Sequence, residues 1–296
     1  MVRQFGMLIF LAPLVLLLGS HLGGLHPLGD SLAVFRGPLA IIGLVSVLLL
    51  VWLRFRPLAL VGGLLVGWSA YSILEPKFEF SAALDTPYSL YQKNMLFKMP
   101  TVDPVKDDIL DKSPDFITLQ EVSAKNRALL AKISGQYPSQ QYCSSPTVAE
   151  VAVASKWPMV EGSALCNPNL GLAIMQVITP DGPVWVVSLH LIWAYPFSQA
   201  AQVTAMLPTL EALDGPVVLG GDFNMVPWSH TMRVITSATG TQRIGAPKYT
   251  FPLFEGLYTL PIDHVLISDN THPAETWMRP QLGSDHFGLL ARFYLP

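Results

Sequence analysis

Hydrophobic and polar positions divide the 296-residue chain into two unlike parts. Before residue 76, three apolar segments at residues 7–19, 38–53 and 57–74 contain no Asp, Glu, Lys or Arg. A membrane-spanning helix needs about 20 residues, which the third segment meets directly and the other two meet with their flanking residues. This pattern predicts a membrane region over residues 1–75 with three transmembrane helices. Two spans or a re-entrant hairpin are the alternatives.

The first segment also has the shape of a cleaved signal peptide, because Arg3 precedes its apolar core. Two more apolar segments follow, and no A-x-A-like cleavage site stands after Leu18, which favours a retained helix. By the positive-inside rule, Arg3, Arg54 and Arg56 predict a cytoplasmic amino terminus and a cytoplasmic turn at residues 54–56. Three crossings of the cytoplasmic membrane then place the rest of the chain on its outer, periplasmic or extracellular, side.

A different pattern begins after a polar, proline-containing linker at residues 76–87. Residues 124–134 and 199–213 have helical spacing, and Thr179-Pro-Asp-Gly-Pro183 is a strong hairpin turn. The remaining apolar runs are short and bounded by turn residues, as strands are. They lie at residues 89–97, 116–119, 148–154, 170–178, 184–191, 217–219, 262–267 and 289–294. Mixed strands with a few helices predict a layered α/β domain over residues 88–296.

Charge follows the same division. Only 13% of the residues are charged and 51% are hydrophobic, against about 25% charged in ordinary soluble domains. Five of the 18 basic and two of the 21 acidic residues lie before residue 79, which leaves 13 and 19 and a balance near −6 for the second part. That part therefore lacks the basic surface of a protein that grips a nucleic-acid backbone. The three apolar segments lack Asp, Glu, Lys and Arg. This excludes a transporter, because the membrane helices of transporters carry ionisable groups along the substrate path.

The chain has two cysteines, Cys143 and Cys166, both in the second part. An even count in an oxidising compartment indicates one disulfide, and the alternative is two unpaired buried thiols.

Acids, amides and histidines recur where apolar strands end. Glu121 follows Thr-Leu-Gln, His190 follows Val-Ser-Leu, and Asp222 and Asn224 follow Leu-Gly-Gly. Asp263 begins a strand, and Asp285-His286 precedes the last one. Each residue alone has an ordinary structural explanation, such as a turn former or a helix cap. Loops at strand ends are nevertheless where rigid scaffolds hold functional groups.

Together and in this order, these segments resemble the endonuclease/exonuclease/phosphatase superfamily over about residues 86–296, and the whole chain looks like its bacterial membrane-anchored members. The resemblance implies a four-layer sandwich of two mixed β-sheets flanked by helices. It is carried by Asn94-Met-Leu, Asp115-Phe-Ile-Thr-Leu-Gln-Glu-Val, Val-Val-Ser-Leu-His190-Leu, Gly-Gly-Asp222-Phe-Asn224, Ile-Asp263-His and Ser284-Asp285-His286. Ser155-Lys-Trp-Pro158 resembles a further Ser-Arg-x-Pro stretch of that family.

The resemblance also assigns roles to individual residues. Asn94 and Glu121 match metal-binding positions, with Asp285 as a further ligand, and oxygen ligands suit Mg²⁺ or Mn²⁺. Asp222 matches the acid that orients or deprotonates water, and Asn224 the donor to the phosphoryl group. His286 matches an essential histidine held by Asp263, and His190 matches a histidine that stabilises the phosphoryl oxygens or protonates the leaving group.

These residues predict a membrane-anchored, metal-dependent phosphoesterase in which metal, His and Asp assist the attack of water. The alternative is a non-catalytic membrane-anchored binding module on the same fold. The substrate is a phosphodiester or phosphomonoester, with nucleic acid, phospholipid and small molecules all open, and the sequence identifies no protein partner. The sequence departs from the family pattern at two places, and both departures weaken binding of a polyanion. Many relatives carry an Arg a few residues after the His190 motif, but residues 195–202 contain none, and Lys156 replaces the Arg of the Ser-Arg-x-Pro stretch. Trp193 and Trp228 follow two of the motifs and either rim the site or pack on the scaffold.

Overall fold

The structure, a computed structural model, describes residues 2–74, 88–144 and 150–295. The predicted linker at residues 76–87 lies outside the described residues. Four helices precede it: α1 (Val2–Gly19), α2 (Leu28–Val34), α3 (Arg36–Trp52) and α4 (Arg56–Leu74). Among the described helices, α4 alone is long and apolar enough by itself to cross a membrane, and α2 with α3 meets the same criteria as one span bent by 80°.

Two six-stranded sheets form the second part. The strands of the first sheet, in spatial order, are β13 (His272–Arg279), β14 (Gly288–Tyr294), β1 (Tyr88–Asn94), β2 (Phe116–Gln120), β4 (Val151–Ser155) and β3 (Ser139–Cys143). The second contains β5 (Leu165–Asn167), β6 (Leu172–Thr179), β7 (Gly182–His190), β8 (Val217–Asp222), β12 (Asp263–Ser268) and β9 (Thr241–Arg243). Only β1–β2 and β7–β8 are parallel pairs among the described strands.

Three apolar layers hold these sheets together. Leu90, Phe116, Val186 and Val265 are among the residues buried between the sheets. Two further cores cover the outer faces, since strands buried on both sides need helices above them. The helices are α5 (Asp103–Lys112) and α6 (Ala128–Ile133) on the first sheet, and α7 (Gln199–Glu211) and α8 (His230–Thr239) on the second. The two mixed sheets flanked by helices confirm the predicted α/β architecture.

A separate small hairpin stands beside the second sheet. It comprises β10 (Phe251–Leu253), a 3₁₀ turn (Phe254–Gly256) and β11 (Tyr258–Leu260). At the edges of the two large sheets, Cys143 of β3 and Cys166 of β5 form a disulfide. The bond links one sheet to the other, and of the two alternatives for these cysteines the structure contains the disulfide.

The short helix α2 is built into the core of the second part. Ala33 and Val34 are buried in the same cluster as Phe223 and Trp228. The buried Asp30 carboxylate accepts hydrogen bonds from the N–H groups of His230 and Thr231 at 2.7 and 2.8 Å. Those N–H groups open α8 and have no partner within the helix, so Asp30 serves as a cap from a distant part of the chain.

Candidate active site

The topology brings five strand ends to one edge of the molecule. Parallel pairing places Asn94 opposite Gln120, one residue before Glu121, and His190 opposite Asp222. Antiparallel pairing places Asp263 opposite Asp222. The predicted residues at these strand ends therefore lie together, and His286 joins them from the loop before β14.

Close approach of the two sheets completes the cluster. A Cβ atom on Gly220 would lie 2.2 Å from Thr118 Oγ1 of the opposite sheet, so only glycine fits there. This contact is two residues before Asp222, whose Oδ2 accepts a hydrogen bond from Asn94 Nδ2 at 2.9 Å. Asn94 and Asp222 come from different sheets, so the glycine is what allows them to meet.

Glu121 is held by an unusual backbone conformation. Its φ is +55°, in the left-handed region that a residue with a Cβ atom rarely adopts. Its carboxylate accepts hydrogen bonds from Phe97 N–H at 2.8 Å and from Asn94 Nδ2 at 3.2 Å. Burial raises the pKa of Glu121, against the effect of those two hydrogen bonds. Strain and a desolvated acid at one residue are typical of a functional position.

Asp222 lies at the centre of the cluster. Its Oδ1 accepts from the backbone N–H of Asn224 at 2.9 Å, and its Oδ2 lies 3.6 Å from His190 Nε2 and 3.8 Å from His286 Nε2. Burial raises the pKa of Asp222, and the neighbouring Asp263 adds to the increase while His286 opposes it. A buried carboxylate with a raised pKa is suited to accept a proton from water.

Asp263 and His286 form a buried pair. His286 Nδ1 lies 2.8 Å from Asp263 Oδ2, and Asp263 Oδ1 accepts from Gln92 Nε2 at the same distance. Burial lowers the pKa of His286, but Asp263 and Asp222 outweigh it and raise the pKa to about 9. His286 is therefore an imidazolium at neutral pH, with Nδ1 towards Asp263 and Nε2 towards Asp222.

The two remaining predicted residues lie at the mouth of the cluster. Asp285 is exposed and lines the same cavity as Glu121, and its charge contributes to the raised pKa of Glu121. Asn224, with a φ of +46°, donates from Nδ2 to the carbonyl of Leu191 at 2.7 Å. Asn224 thus fixes the loop that follows His190, and its proposed bond to a phosphoryl group is additional to this contact.

A cavity of about 540 Å³ opens beside these groups, and one of its walls is apolar. Phe251 packs against His286 with ring centroids 4.6 Å apart and against Trp193 at 5.9 Å. The described lining contains no Lys or Arg. The apolar wall consists of Leu191, Ile192, Trp193, Pro196, Phe197 and Phe251. Trp193 therefore rims the site, whereas the buried Trp228 packs on α2 through its Nε1 bond to the carbonyl of Ala33.

Several supporting residues had no sequence motif to mark them. Gln92 was detectable in part, because it lies two residues before Asn94 on the same strand face. The fully buried Lys93 points the other way and donates to the carbonyls of His286 and Pro280 at 2.5 and 3.2 Å. Burial lowers the pKa of Lys93 to about 8. Lys93 thus holds the loop that carries Asp285 and His286.

Lys156 has a structural position far from the cavity. Its Nζ donates to the carbonyl of Ser113 at 2.5 Å and lies 3.7 Å from an Asp115 carboxylate oxygen. Both partners precede β2, at the end opposite Glu121. The replacement of Arg by Lys here consequently does not alter the lining of the cavity.

The residues fit a divalent cation. Among the described residues, Glu121 forms no ion pair, so its half-buried carboxylate has only hydrogen-bond donors as partners. A hard cation held by Glu121, Asn94 and Asp285 would supply the missing positive charge. Asp222, Asp263 and His286 also lie close enough to share a metal ion. His286 Nδ1 and Asp263 Oδ2 already bond to each other at 2.8 Å, which favours an acid–histidine pair at that place.

The arrangement provides the groups that phosphoester hydrolysis requires. Asp222 can orient water and take its proton, and the cationic His286 can stabilise charge on the phosphoryl oxygens or donate a proton. Asp263 keeps His286 in one orientation. A bound divalent metal ion supplies Lewis-acid polarisation of the phosphoryl group.

The fold and the buried Asp/His group, which could hold a metal ion, point to the class of metal-dependent phosphoester hydrolases. The chain belongs to the endonuclease/exonuclease/phosphatase family, whose sequence model matches residues 94–286, more than half of the chain. No curated protein matches the chain.

Solved structures show the same fold. The endonuclease/exonuclease/phosphatase from Bacteroides vulgatus has a TM-score of 0.56 and 16% identity, over 71% of this chain and 99% of that one. D. rerio TDP2 complexed with single-strand DNA product has a TM-score of 0.54 and 15% identity, over 70% and 98%. Sphingomyelinase C from Streptomyces griseocarneus has a TM-score of 0.50 and 19% identity, over 69% and 98%. At these identities the likeness concerns the fold alone.

Proposed function

We propose that this protein is a membrane-anchored phosphoesterase that uses Mg²⁺, or Mn²⁺, to hydrolyse a phosphoester outside the cytoplasm. The observation that carries the proposal is the buried Asp263–His286 pair next to Asp222, in a cavity also lined by Glu121, whose carboxylate has no cationic partner among the residues that the structure describes. In this assignment Asn94, Glu121 and Asp285 hold the metal. His190, Asp222, Asn224, Asp263 and His286 carry the chemistry.

A non-catalytic binding module is the weaker candidate. Binding alone does not need a buried imidazolium, a buried acid hydrogen-bonded to it with a second buried acid 3.8 Å away, and a desolvated glutamate at a strained backbone position. Such groups cost folding free energy, so their joint presence favours catalysis.

Three features support the location. The faces of α4 are largely exposed although the helix is apolar, which is unfavourable in water and favourable in lipid. Helices α1 and α3 contact α4, and in this proposal they are the other two spans. The Cys143–Cys166 disulfide suits an oxidising compartment such as the outer side of the membrane.

The orientation predicts the behaviour of reporter fusions in a bacterial host. Alkaline phosphatase fused after residue 295 should be active and green fluorescent protein at the same position should be dark. Alkaline phosphatase inserted at the Arg54 turn is the matched control and should be inactive. The reverse pattern would overturn the orientation and the three-span arrangement.

The activity itself is tested by a substrate panel on the full chain in detergent with Mg²⁺. The panel contains bis-p-nitrophenyl phosphate, single- and double-stranded DNA, RNA, nucleotides, sphingomyelin and phosphatidylinositol phosphates. We expect the protein to hydrolyse at least one phosphoester of the panel. The Asp222→Asn variant should lose that activity. Binding without hydrolysis of any member would favour the binding module.

A further inference from the structure

The cavity is suited to a single phosphoester that carries an apolar group. One side presents the charged groups of the active site, and the other is the wall from Leu191 to Phe197 with Phe251. A polynucleotide presents a phosphate at every residue and requires repeated cationic contacts. The described lining offers no Lys or Arg to make them.

Large apolar side chains are exposed on the two segments that form the apolar wall. On the hairpin β10–β11, which contributes Phe251 to that wall, Phe254 is 74% exposed and Leu257 is 91% exposed, and Phe197 of the wall is 61% exposed. Grouped apolar side chains of this size on a protein surface mark a binding surface for a protein or a membrane. We refer to Phe197, Phe254 and Leu257 as the apolar rim.

The apolar helices end next to the same face of the molecule. The buried Arg36, at the start of α3, donates to the backbone carbonyl and hydroxyl of Ser20 after α1 and to Ser72 Oγ near the end of α4. Its guanidinium also donates to the carbonyl of Trp228, four residues after Asn224. One side chain therefore joins the ends of all three helices to the loop that follows the active site.

Helix α2 connects this junction to both segments that form the apolar wall, the loop at residues 191–197 and the hairpin β10–β11. Ser31 Oγ donates to the carbonyl of Tyr195 at 2.7 Å, in the loop that carries Trp193 and Phe197. Tyr258 OH donates to the carbonyl of Val34 at 2.8 Å, and the Tyr258 ring stacks on Phe35 at 6.2 Å. Tyr258 directly follows the exposed Leu257. The apolar rim therefore lies close to the domain-side ends of the apolar helices.

We propose that the substrate is a phosphoester lipid of the bilayer that holds α1, α3 and α4. The apolar rim lies in the membrane interface, where aromatic and aliphatic side chains are favoured. The lipid presents its phosphate to Asp222 and His286, and its apolar part lies along Trp193 and Phe251. This inference rests on the proposed phosphoesterase function and adds the substrate class.

The reaction consumes one water molecule. The water oxygen forms a bond to phosphorus as its proton passes to Asp222, and the ester P–O bond breaks. The leaving oxygen takes a proton from the His286 imidazolium and departs as an alcohol, the proton on Asp222 restores the imidazolium, and the phosphoryl group keeps the water oxygen.

The test uses the full chain in proteoliposomes of phosphatidylethanolamine, phosphatidylglycerol and cardiolipin, with phosphatidic acid, sphingomyelin or phosphatidylinositol phosphate added in turn. Hydrolysis is followed by ³¹P nuclear magnetic resonance, with bis-p-nitrophenyl phosphate as the soluble ester and DNA and RNA as competing classes. The double variant Phe254→Ser/Leu257→Ser should lower the ratio of lipid to soluble-ester hydrolysis by at least about 10-fold, since full burial of one such side chain is worth about 10-fold or more in affinity.

Ile178→Ser is the matched control, because Ile178 is 45% exposed and pairs with Pro183, at the opposite end of β7 from His190. The control should leave the ratio unchanged. Hydrolysis of soluble esters or nucleic acid with every lipid phosphorus intact would overturn the lipid inference and leave the phosphoesterase function standing. An unchanged ratio in the rim variant would also overturn it. No hydrolysis of any phosphoester would refute the proposed function itself.

Discussion

Glu121→Gln is expected to lower phosphoester hydrolysis at limiting Mg²⁺ by at least about 100-fold, because even outer contacts of a metal ligand are worth 10–100-fold in affinity or activity. The substitution keeps the size of the side chain and its acceptor for Phe97 N–H, but it removes the anionic ligand. Steady-state rates over a range of Mg²⁺ concentrations measure the effect.

The fold should survive this substitution. Burial raises the pKa of Glu121, so its ionised form is less stable in the folded state than in water, and neutralising it removes that cost. The melting temperature in EDTA should therefore not fall. Glu161→Gln, at an exposed glutamate outside the cavity, is the matched control and should have wild-type kinetics. Wild-type turnover of the Glu121 variant at limiting Mg²⁺ would show that the metal is held elsewhere.

Asp263→Asn should reduce kcat by roughly 100-fold or more with little change in metal affinity. Asparagine leaves the shape but removes the charge that holds His286 as an imidazolium and fixes its ring orientation. General acid–base steps contribute about 10²–10⁴-fold, which sets the scale of the loss. Asp269→Asn, at an exposed acid one residue after β12, is the control.

The double variant tests whether the pair works as a unit. Asp263→Asn and His286→Ala combined should cost little more than the larger single loss, because residues that act together give strongly non-additive effects. Losses that multiply would show that Asp263 does not act through His286, and the pairing would then have to be abandoned.

Much of the active site could be predicted because strand ends have a local signature. An apolar run that stops at Asp222 or His190 predicts both a strand and a functional group at its end, and pairing of the strands then brings the groups together. The residues of the helix α8 gave no such signal. It is only ten residues long, and its buried positions include Thr231 and Thr239 as well as Met232 and Ile235, so few of its residues are apolar.

The contacts that attach the amino-terminal segment to the second part of the chain could not be predicted from the sequence either. Asp30 and Arg36 occupy a connection between apolar segments, where charged residues normally face solvent. Their partners, Thr231 and Trp228, are about 200 residues away in the chain, and nothing local specifies such contacts. The partners of Lys93 could not be predicted either. The sequence pattern places Lys93 in a strand, but it does not indicate which carbonyl groups its ammonium group contacts.

The metal dependence of hydrolysis tests the central claim most directly. The full chain is treated with EDTA, freed of the chelator, and assayed on the best substrate of the panel as Mg²⁺ or Mn²⁺ is added back. The account predicts no measurable hydrolysis in the stripped protein and full recovery with added metal, with recovery shifted to higher metal concentrations in Glu121→Gln. Full activity of the metal-free protein would contradict it.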